Sequence, residues 1–272
     1  MSDRLVGSEM CIRDSHWNKG EHVMILAIIQ ARTGSTRLPS KVLADLLGRP
    51  MLVRQIERIA RVRLIDRAVI ATTGQPQDDK IAALAHLLKL DCYRGSVDDV
   101  LDRFYQCAKR YDADHILRLT ADCPLTDPEV IDQLIRLHLA GEYDYTSNVE
   151  PPTYPHGLDA EIMTRDALVQ AWNEAVKPSE REHVTSYSRN TAKKFKMGNL
   201  RSKEDHSRLR LTVDEPEDLV LIRQIYEALY PANPEFKTRD VLDYLKAHPD
   251  LVLINAKFDR LASYEASLER DR

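Results

Sequence analysis

Three cations stand close together in the segment Ala31-Arg32-Thr33-Gly34-Ser35-Thr36-Arg37-Leu38-Pro39-Ser40-Lys41, directly after the apolar run Ile25 to Ile29. Guanidinium forks and an ammonium separated by small residues suit a polyphosphate, because each makes charge-assisted hydrogen bonds to phosphate oxygens. Gly34 allows a ligand close to the backbone, and Ser35 adds a hydroxyl. Arg32, Arg37 and Lys41 are therefore candidate phosphate ligands, and Thr72, at the end of the next apolar run, is placed with them on the nucleotide side. The segment is not a Walker A loop: Lys41 lies between Ser40 and Val42, without the preceding glycine or a clear helix start. The alternative is a solvated basic loop.

Carboxylates come next. Asp122 follows the run His115 to Leu119, and Asp214 follows Leu209 to Val213, so each is expected at the carboxyl end of a strand, where open α/β sheets collect ligands. Two such carboxylates can hold one Mg²⁺, with phosphate oxygens and waters completing its shell. Either one alone reads equally well as a helix N-cap before a proline-led helix. Asp159 and Glu161 alternate along Leu158 to Ile162 and would share one strand face, suited to sugar hydroxyls or a second metal contact, or simply to solvent. Glu180, Arg181, Glu182 and His183 fall in one helical turn, where pairing within the helix is the plain explanation.

Positioning these groups requires a regular scaffold. Ile25 to Ile29 is apolar throughout, as in a parallel strand covered on both faces. A helix from Pro50 to Val62, a strand from Ala68 to Thr72, a helix opening at Asp78, a third helix from Val97 to Arg110 and the strand His115 to Leu119 continue a βαβ alternation. Pro128 starts another helix, and Tyr143 to Ser147 is a further strand. After the proline-rich loop Glu150 to Gly157 come the strand Leu158 to Ile162, helices at Arg165 to Ala175 and Ser179 to Asn190, and strands at Phe195 to Leu200 and Leu209 to Val213. Helices over Pro216 to Tyr230 and Arg239 to Ala247 follow. The expected fold class is α/β, a Rossmann-like doubly wound, mostly parallel sheet. Residues 1–23 read as a non-native or disordered leader, 24–257 as a single domain, and 258–272 as a charged tail that frays or docks on a partner.

The chain has 272 residues, with Lys+Arg 39 against Asp+Glu 43 and a net charge of -4. That balance gives no general attraction to nucleic acid or anionic lipid. Four cysteines without a Cys-x-x-Cys pair point to neither a zinc site nor a disulfide framework, and no apolar run is long enough to span a bilayer, so a cytoplasmic location is expected.

The motifs IIQARTGSTRLPSK, RLTADCPLTDPEVID, PPTYPHGLDAEI, SEREHVTSYSRN and LRLTVDEPEDL, in this order, resemble the cytidylyltransferase family that includes the acylneuraminate (CMP-sialic acid) synthetases. Within it they are most similar to the spore coat polysaccharide biosynthesis branch. The resemblance implies a GT-A-like nucleotide-diphosphosugar transferase fold and transfer of CMP from CTP to a sugar acid, with release of pyrophosphate, for polysaccharide or surface-glycan synthesis. It implies that Arg32 and Lys41 grip the triphosphate, that the backbone at Ala31 faces the base, and that Asp122 and Asp214 hold Mg²⁺. Asp159, Glu161, Arg181 and His183 become candidates for the sugar side, with Arg181 forking onto a sugar carboxylate. By analogy residues 150–200 form a sugar-binding and dimerisation insertion of a homodimer. Two other readings share these features: a GT-A-type glycosyltransferase consuming a ready-made nucleotide sugar, and a non-catalytic nucleotide-binding regulator.

Overall fold

In the computed structural model, which describes residues 23–272, seven strands form one sheet in the order β3-β2-β1-β4-β6-β5-β7. The expected leader, apart from Val23, lies outside the described residues. β1 (Ile25–Gln30), β2 (Arg67–Thr73), β3 (Asp91–Gly95) and β4 (His115–Thr120) run parallel. Their connections are the helices α1 (Met51–Ile59), α2 (Asp79–Leu87) and α3 (Val100–Arg110). The chain then crosses to the other side of β4 through α4 (Pro128–Ala140) to β5 (Tyr145–Ser147). β6 (Glu161–Thr164) is antiparallel to both β4 and β5, and β7 (Met197–Asn199) closes the edge parallel to β5. The order therefore reverses between β1 and β4, and the crevice at their carboxyl ends is where such sheets receive ligands.

The alternation inside β1 explains the two layers. Ile25, Ala27 and Ile29 face α1, α2 and α4 through Leu52, Ile56, Ile81, Ile131 and Leu134. Leu26 and Ile28 face the opposite layer, where Leu101, Phe104 and Cys107 of α3 pack with Leu168 and Ala171 of α5 (Arg165–Glu174). A third core joins Leu211 and Val213 to α8 (Pro216–Leu229) and α9 (Thr238–Ala247), through Ile222, Ile225, Tyr226 and Val241. Among the described residues no helix is long and apolar enough to cross a membrane.

Several elements differ from expectation. β3 was not anticipated, because Asp91-Cys92-Tyr93-Arg94-Gly95 is a half-exposed edge strand with no apolar run. The segment Leu209 to Val213 is not a ladder strand; its backbone pairs at an isolated bridge, His156 to Arg210, and Val213 N–H donates to Asp122 O at 2.8 Å. Gly157 permits that approach: it has φ +106°, and a Cβ there would lie 2.4 Å from the backbone of Leu211. β6 begins only at Glu161, leaving Asp159 in the irregular segment before it. The expected helix from Ser179 to Asn190 is split into α6 (Pro178–Glu182) and α7 (Ser186–Asn190) at Val184, a buried β-branched residue at φ 54°. The C-terminal tail folds back on its own chain as α10 (Ala262–Leu268), and Asp271 accepts from Ser179 N–H at 2.9 Å.

Candidate active site

β1 ends at Gln30, and the following loop is fastened from beneath. Asp78 is fully buried, and its Oδ1 accepts from both Thr33 N–H and Thr33 Oγ1 at 2.7 Å, while Thr73 Oγ1 donates to its other oxygen. Burial disfavours its charge, but the Thr73 and Thr33 hydrogen bonds outweigh this and hold its pKa below the usual carboxylate range. Thr33 O then accepts from Ser35 N–H at 2.9 Å and Ser40 N–H at 3.0 Å, which turns the chain so that Lys41 heads back into the crevice. Ser40 adopts the left-handed conformation, φ 56°, at this turn.

Lys41 Nζ lies 2.7 Å from Asp214 Oδ1 and 3.2 Å from Asp122 Oδ2. The loop and the two carboxylates thus meet at one point, at the sheet's reversal. Burial opposes the ammonium, yet Asp122 and Asp214 together raise the Lys41 pKa. Asp122 is in turn held well below the normal carboxylate range: burial works against its charge, and Lys41, Thr120 and the Cys123 thiol overcome it. Cys123 Sγ, whose own pKa burial and Asp122 raise, stays a neutral donor at 3.4 Å from Asp122 Oδ1. Arg37 adds its guanidinium to Asp214 Oδ1 at 3.2 Å and to Glu215 Oε1 at 2.9 Å. Arg32 is exposed and makes no hydrogen bond or ion pair among the described residues. Its charge is felt by buried Arg103, whose pKa is pushed down to about 10 by burial first and Arg32 second.

Two carboxylates already sharing one ammonium suit a hard divalent cation, which takes one or two carboxylates and completes its shell with water and phosphate oxygens. Among the described residues no cluster of three or more His, Cys, Asp and Glu side chains is arranged to hold a metal by itself. The donor set therefore fits a cation that arrives with a polyphosphate.

Asp214 is positioned by two residues that sequence reasoning did not single out. Buried Asp218, in the first turn of α8, accepts from the N–H groups of Asp214 and Glu215 at 2.9 Å and from Arg210 Nε at 2.8 Å. Arg210 donates on to Asp214 Oδ2 at 3.2 Å. A capping signal was present: Glu215-Pro216-Glu217-Asp218 puts proline at the first helical position and an acid two residues later. Asp78 had been assigned to a helix start, which it adjoins, but its side chain serves the loop instead.

The other candidates separate. Asp159 accepts from Arg260 at 2.7 Å and stands 3.6 Å from His156 Nε2; burial raises its pKa against the pull of Arg260, and Asp122 is near enough to add to the rise. Glu161 is buried and accepts from Arg118 and Tyr145, and its pKa is held at about 2 because these partners and Arg189 overcome the burial cost. Arg118 Nε reaches Gln30 Oε1 at 3.2 Å, linking Glu161 to the end of β1. Arg181 is not aimed at the crevice: its fork grips Asp99 at 2.5 to 3.0 Å and its NH1 donates to Trp172 O at 2.7 Å. His183 Nε2 pairs with Ser267 Oγ at 2.8 Å, and burial, then the neighbouring Arg118, push its pKa down to about 4. Gly34 is open: a Cβ there would meet only the Gln77 amide tip at 3.3 Å. The Oγ1 of buried Thr72 has no partner among the described residues, and Ser35 Oγ accepts from Leu38 N–H at 3.4 Å. Ala31 is buried, with its N–H given to Ala71 O at 3.1 Å.

Residues 26–244 match the family described as cytidylyltransferase. The spore coat polysaccharide biosynthesis protein SpsF of Bacillus subtilis is 33% identical over 235 residues, 83% of this chain and 95% of that protein. A solved cytidylyltransferase from Leptospira borgpetersenii serovar Hardjo-bovis superposes with a TM-score of 0.81 at 32% identity, covering 85% of this chain and 97% of that one. A CMP:2-keto-3-deoxy-manno-octonic acid synthetase solved with CTP shares the fold at a TM-score of 0.58 and 18% identity, covering 75% of this chain and 98% of that one. The loop that carries Lys41, the strand end that carries Asp122 and the turn that carries Asp214 all lie inside the matched span, and the chain belongs to the cytidylyltransferase family.

Proposed function

We propose that the protein transfers CMP from CTP to a sugar acid and releases pyrophosphate. The observation that carries this reading is the convergence of Lys41 on Asp122 and Asp214 at the sheet reversal, beside Arg37 and the unpaired Arg32. A sugar hydroxyl attacks the α-phosphorus and gives up its proton to water, a new P–O bond forms, the bond from the α-phosphorus to the α–β bridging oxygen breaks, and the electron pair leaves with pyrophosphate. Such transfers need positioning and charge neutralisation more than covalent help from the protein. Lys41, Arg37 and Arg32 bind the phosphates and stabilise negative charge on the departing pyrophosphate. Asp122 and Asp214 would hold Mg²⁺, which supplies positive charge to the phosphoryl oxygens when bound. The open backbone at Gly34 and Ser35 faces the triphosphate, and Ala31 and the unpartnered Thr72 hydroxyl lie at the base end. Cys123, neutral beside Asp122, keeps that carboxylate oriented.

Asp159 and Glu161 belong to the acceptor side, Asp159 as a contact near Asp122 and Glu161 through its hold on Arg118. Arg181 and His183 shape that side through Asp99 and Ser267 rather than by touching sugar. A glycosyltransferase remains the second reading, since the fold hosts both reactions. Incubating the protein with Mg²⁺, each of CTP, UTP, ATP and GTP, and a panel of sugar acids separates them. Pyrophosphate and a CMP-sugar with CTP alone are expected. Cleavage of a supplied CMP-sugar, without pyrophosphate release from any nucleotide, would contradict the proposal.

A further inference from the structure

The chain beyond Ala247 lies outside the family-matched span, yet it reaches the acceptor side. Asn255, buried, donates to Arg210 O at 3.0 Å and Asp218 Oδ1 at 2.8 Å, so it is tied to the residues that position Asp214. Five residues on, Arg260 donates to Asp159 Oδ1 at 2.7 Å and Tyr154 O at 3.3 Å. Between this strap and residues 207–210 lies a cavity of about 310 Å³, within the size range of small-ligand pockets.

The charge of its lining is one-sided. Arg208, Arg210, Lys257 and Arg260 face it with one carboxylate, Asp259, whose oxygen is given to Leu261 N–H at 2.7 Å. Arg210 is spent on Asp218 and Asp214, and Lys257 pairs at the exposed surface with Glu217. Arg208 makes no hydrogen bond or ion pair among the described residues, and Arg260 uses only its two terminal nitrogens within the protein. Donors without acceptors thus line a polar cavity one guanidinium away from Asp214.

We propose that this cavity is an oxyanion site for the acceptor, taking the carboxylate or phosphate of a sugar acid or sugar phosphate through Arg208 and Arg260. That the anion belongs to the acceptor rests on the nucleotidyl-transfer reading; that the cavity binds an anion does not. The strap then supplies acceptor selectivity from residues the family span does not contain.

Titration calorimetry on the full chain tests this, with inorganic phosphate as the probe and the nucleotide loop first saturated with Mg²⁺ and a non-hydrolysable CTP analogue. One phosphate per chain is expected, displaced by glucuronate but not by glucose. Arg208→Ala and Arg260→Lys each weaken phosphate about tenfold or more, as loss of a charged hydrogen bond does, and leave the affinity for the CTP analogue within about twofold. Phosphate binding unchanged in both variants, or nucleotide affinity lost together with phosphate, overturns the site. In turnover, phosphate should compete with whichever sugar acid supports pyrophosphate release; an effect that added sugar acid does not relieve assigns the cavity to a free anion and overturns the acceptor assignment. Failure of the wild type to bind the CTP analogue would instead sink the transfer reading, and phosphate titration of the variants without nucleotide would still decide the cavity.

Discussion

The two sides of the crevice are built by different means. On the nucleotide side, the loop from Ala31 to Lys41 hangs from one buried carboxylate, Asp78, at the mouth of parallel strands whose backbone bonds fix it on both flanks. On the acceptor side, more of the fastening falls to side-chain pairs between residues far apart in sequence: Arg260 on Asp159, Arg118 on Glu161, Asn255 on Asp218 and Ser267 with His183. A rigid frame that holds Lys41 and Arg37 on carboxylates and leaves Arg32 unpaired among the described residues suits a triphosphate. On the proposed reading, a surface assembled from separable pairs would let the acceptor differ while the nucleotide side stays the same.

Replacing groups on either side should break this contrast in graded steps. Asp122→Asn removes one of the two carboxylates on which Lys41 converges, and turnover should fall at least about a thousandfold, the several kcal/mol expected for charge stabilisation of a phosphoryl group. Nucleotide binding, followed by calorimetry, should survive within about tenfold; turnover near the wild-type rate would remove Asp122 from the site. Lys41→Ala should lower kcat/KM for the nucleotide about a hundredfold, in the range of a lost preorganised donor, with KM for the sugar acid little changed.

Asp78→Ala should act on stability first. It leaves the buried Thr33 N–H and the Thr73 hydroxyl without acceptors and the Thr33 hydroxyl with only a long bond to Gln77 O at 3.4 Å, so urea unfolding should show a loss of about 3 kcal/mol together with weaker nucleotide binding. A pH-dependent effect is expected in the scaffold. His138 is fully buried against His115 at 2.9 Å and Thr146 at 3.0 Å, and burial first, then His115, push its pKa down to about 3. A depressed histidine is neutral in the folded state while the unfolded chain takes up the proton. Its contribution is therefore complete above about pH 6.5 and is lost as pH falls toward 3, at about 1.4 kcal/mol per pH unit at most. Urea unfolding from pH 7 to pH 4 should show this slope, and His138→Gln should flatten it. The mildest change is Arg181→Ala: with its fork spent on Asp99, the melting temperature should drop by a few degrees while KM for the sugar acid stays within about twofold. A large rise in that KM would return Arg181 to the sugar contact implied by the family resemblance.

The same contrast governs what could be read from the residues. β1 and β2 declare themselves through continuous apolar runs and β4 through Ile116, Leu117 and Leu119, and the position of the cation loop follows from the end of β1. β3 is silent because a half-exposed edge strand, Asp91-Cys92-Tyr93-Arg94-Gly95, needs no apolar run. Asp214 was placed at the end of a strand that does not form; what brings it to Asp122 is the bond from Val213 N–H, together with Asp218 and Arg210. The break at Val184 has no local signal, since a β-branched residue in the left-handed region is imposed by tertiary packing. Arg260 and Asn255 escape because their partners lie 101 and 37 residues away and no periodicity links them. Asp78 and Asp218 had visible roles at helix starts, yet their partners across the fold could not be read from a linear chain.

The central claim is that Lys41, Asp122 and Asp214 form the centre of a nucleotidyl transfer. It is tested most directly by following two labels in one reaction with Mg²⁺ and a sugar acid: CTP labelled at the α-phosphorus and CTP labelled at the γ-phosphorus. The account predicts that the α label moves into a CMP-sugar while the γ label leaves as pyrophosphate in equal amount, and that Asp122→Asn abolishes both. Release of the γ label as inorganic phosphate, with the α label remaining in CDP, would contradict it.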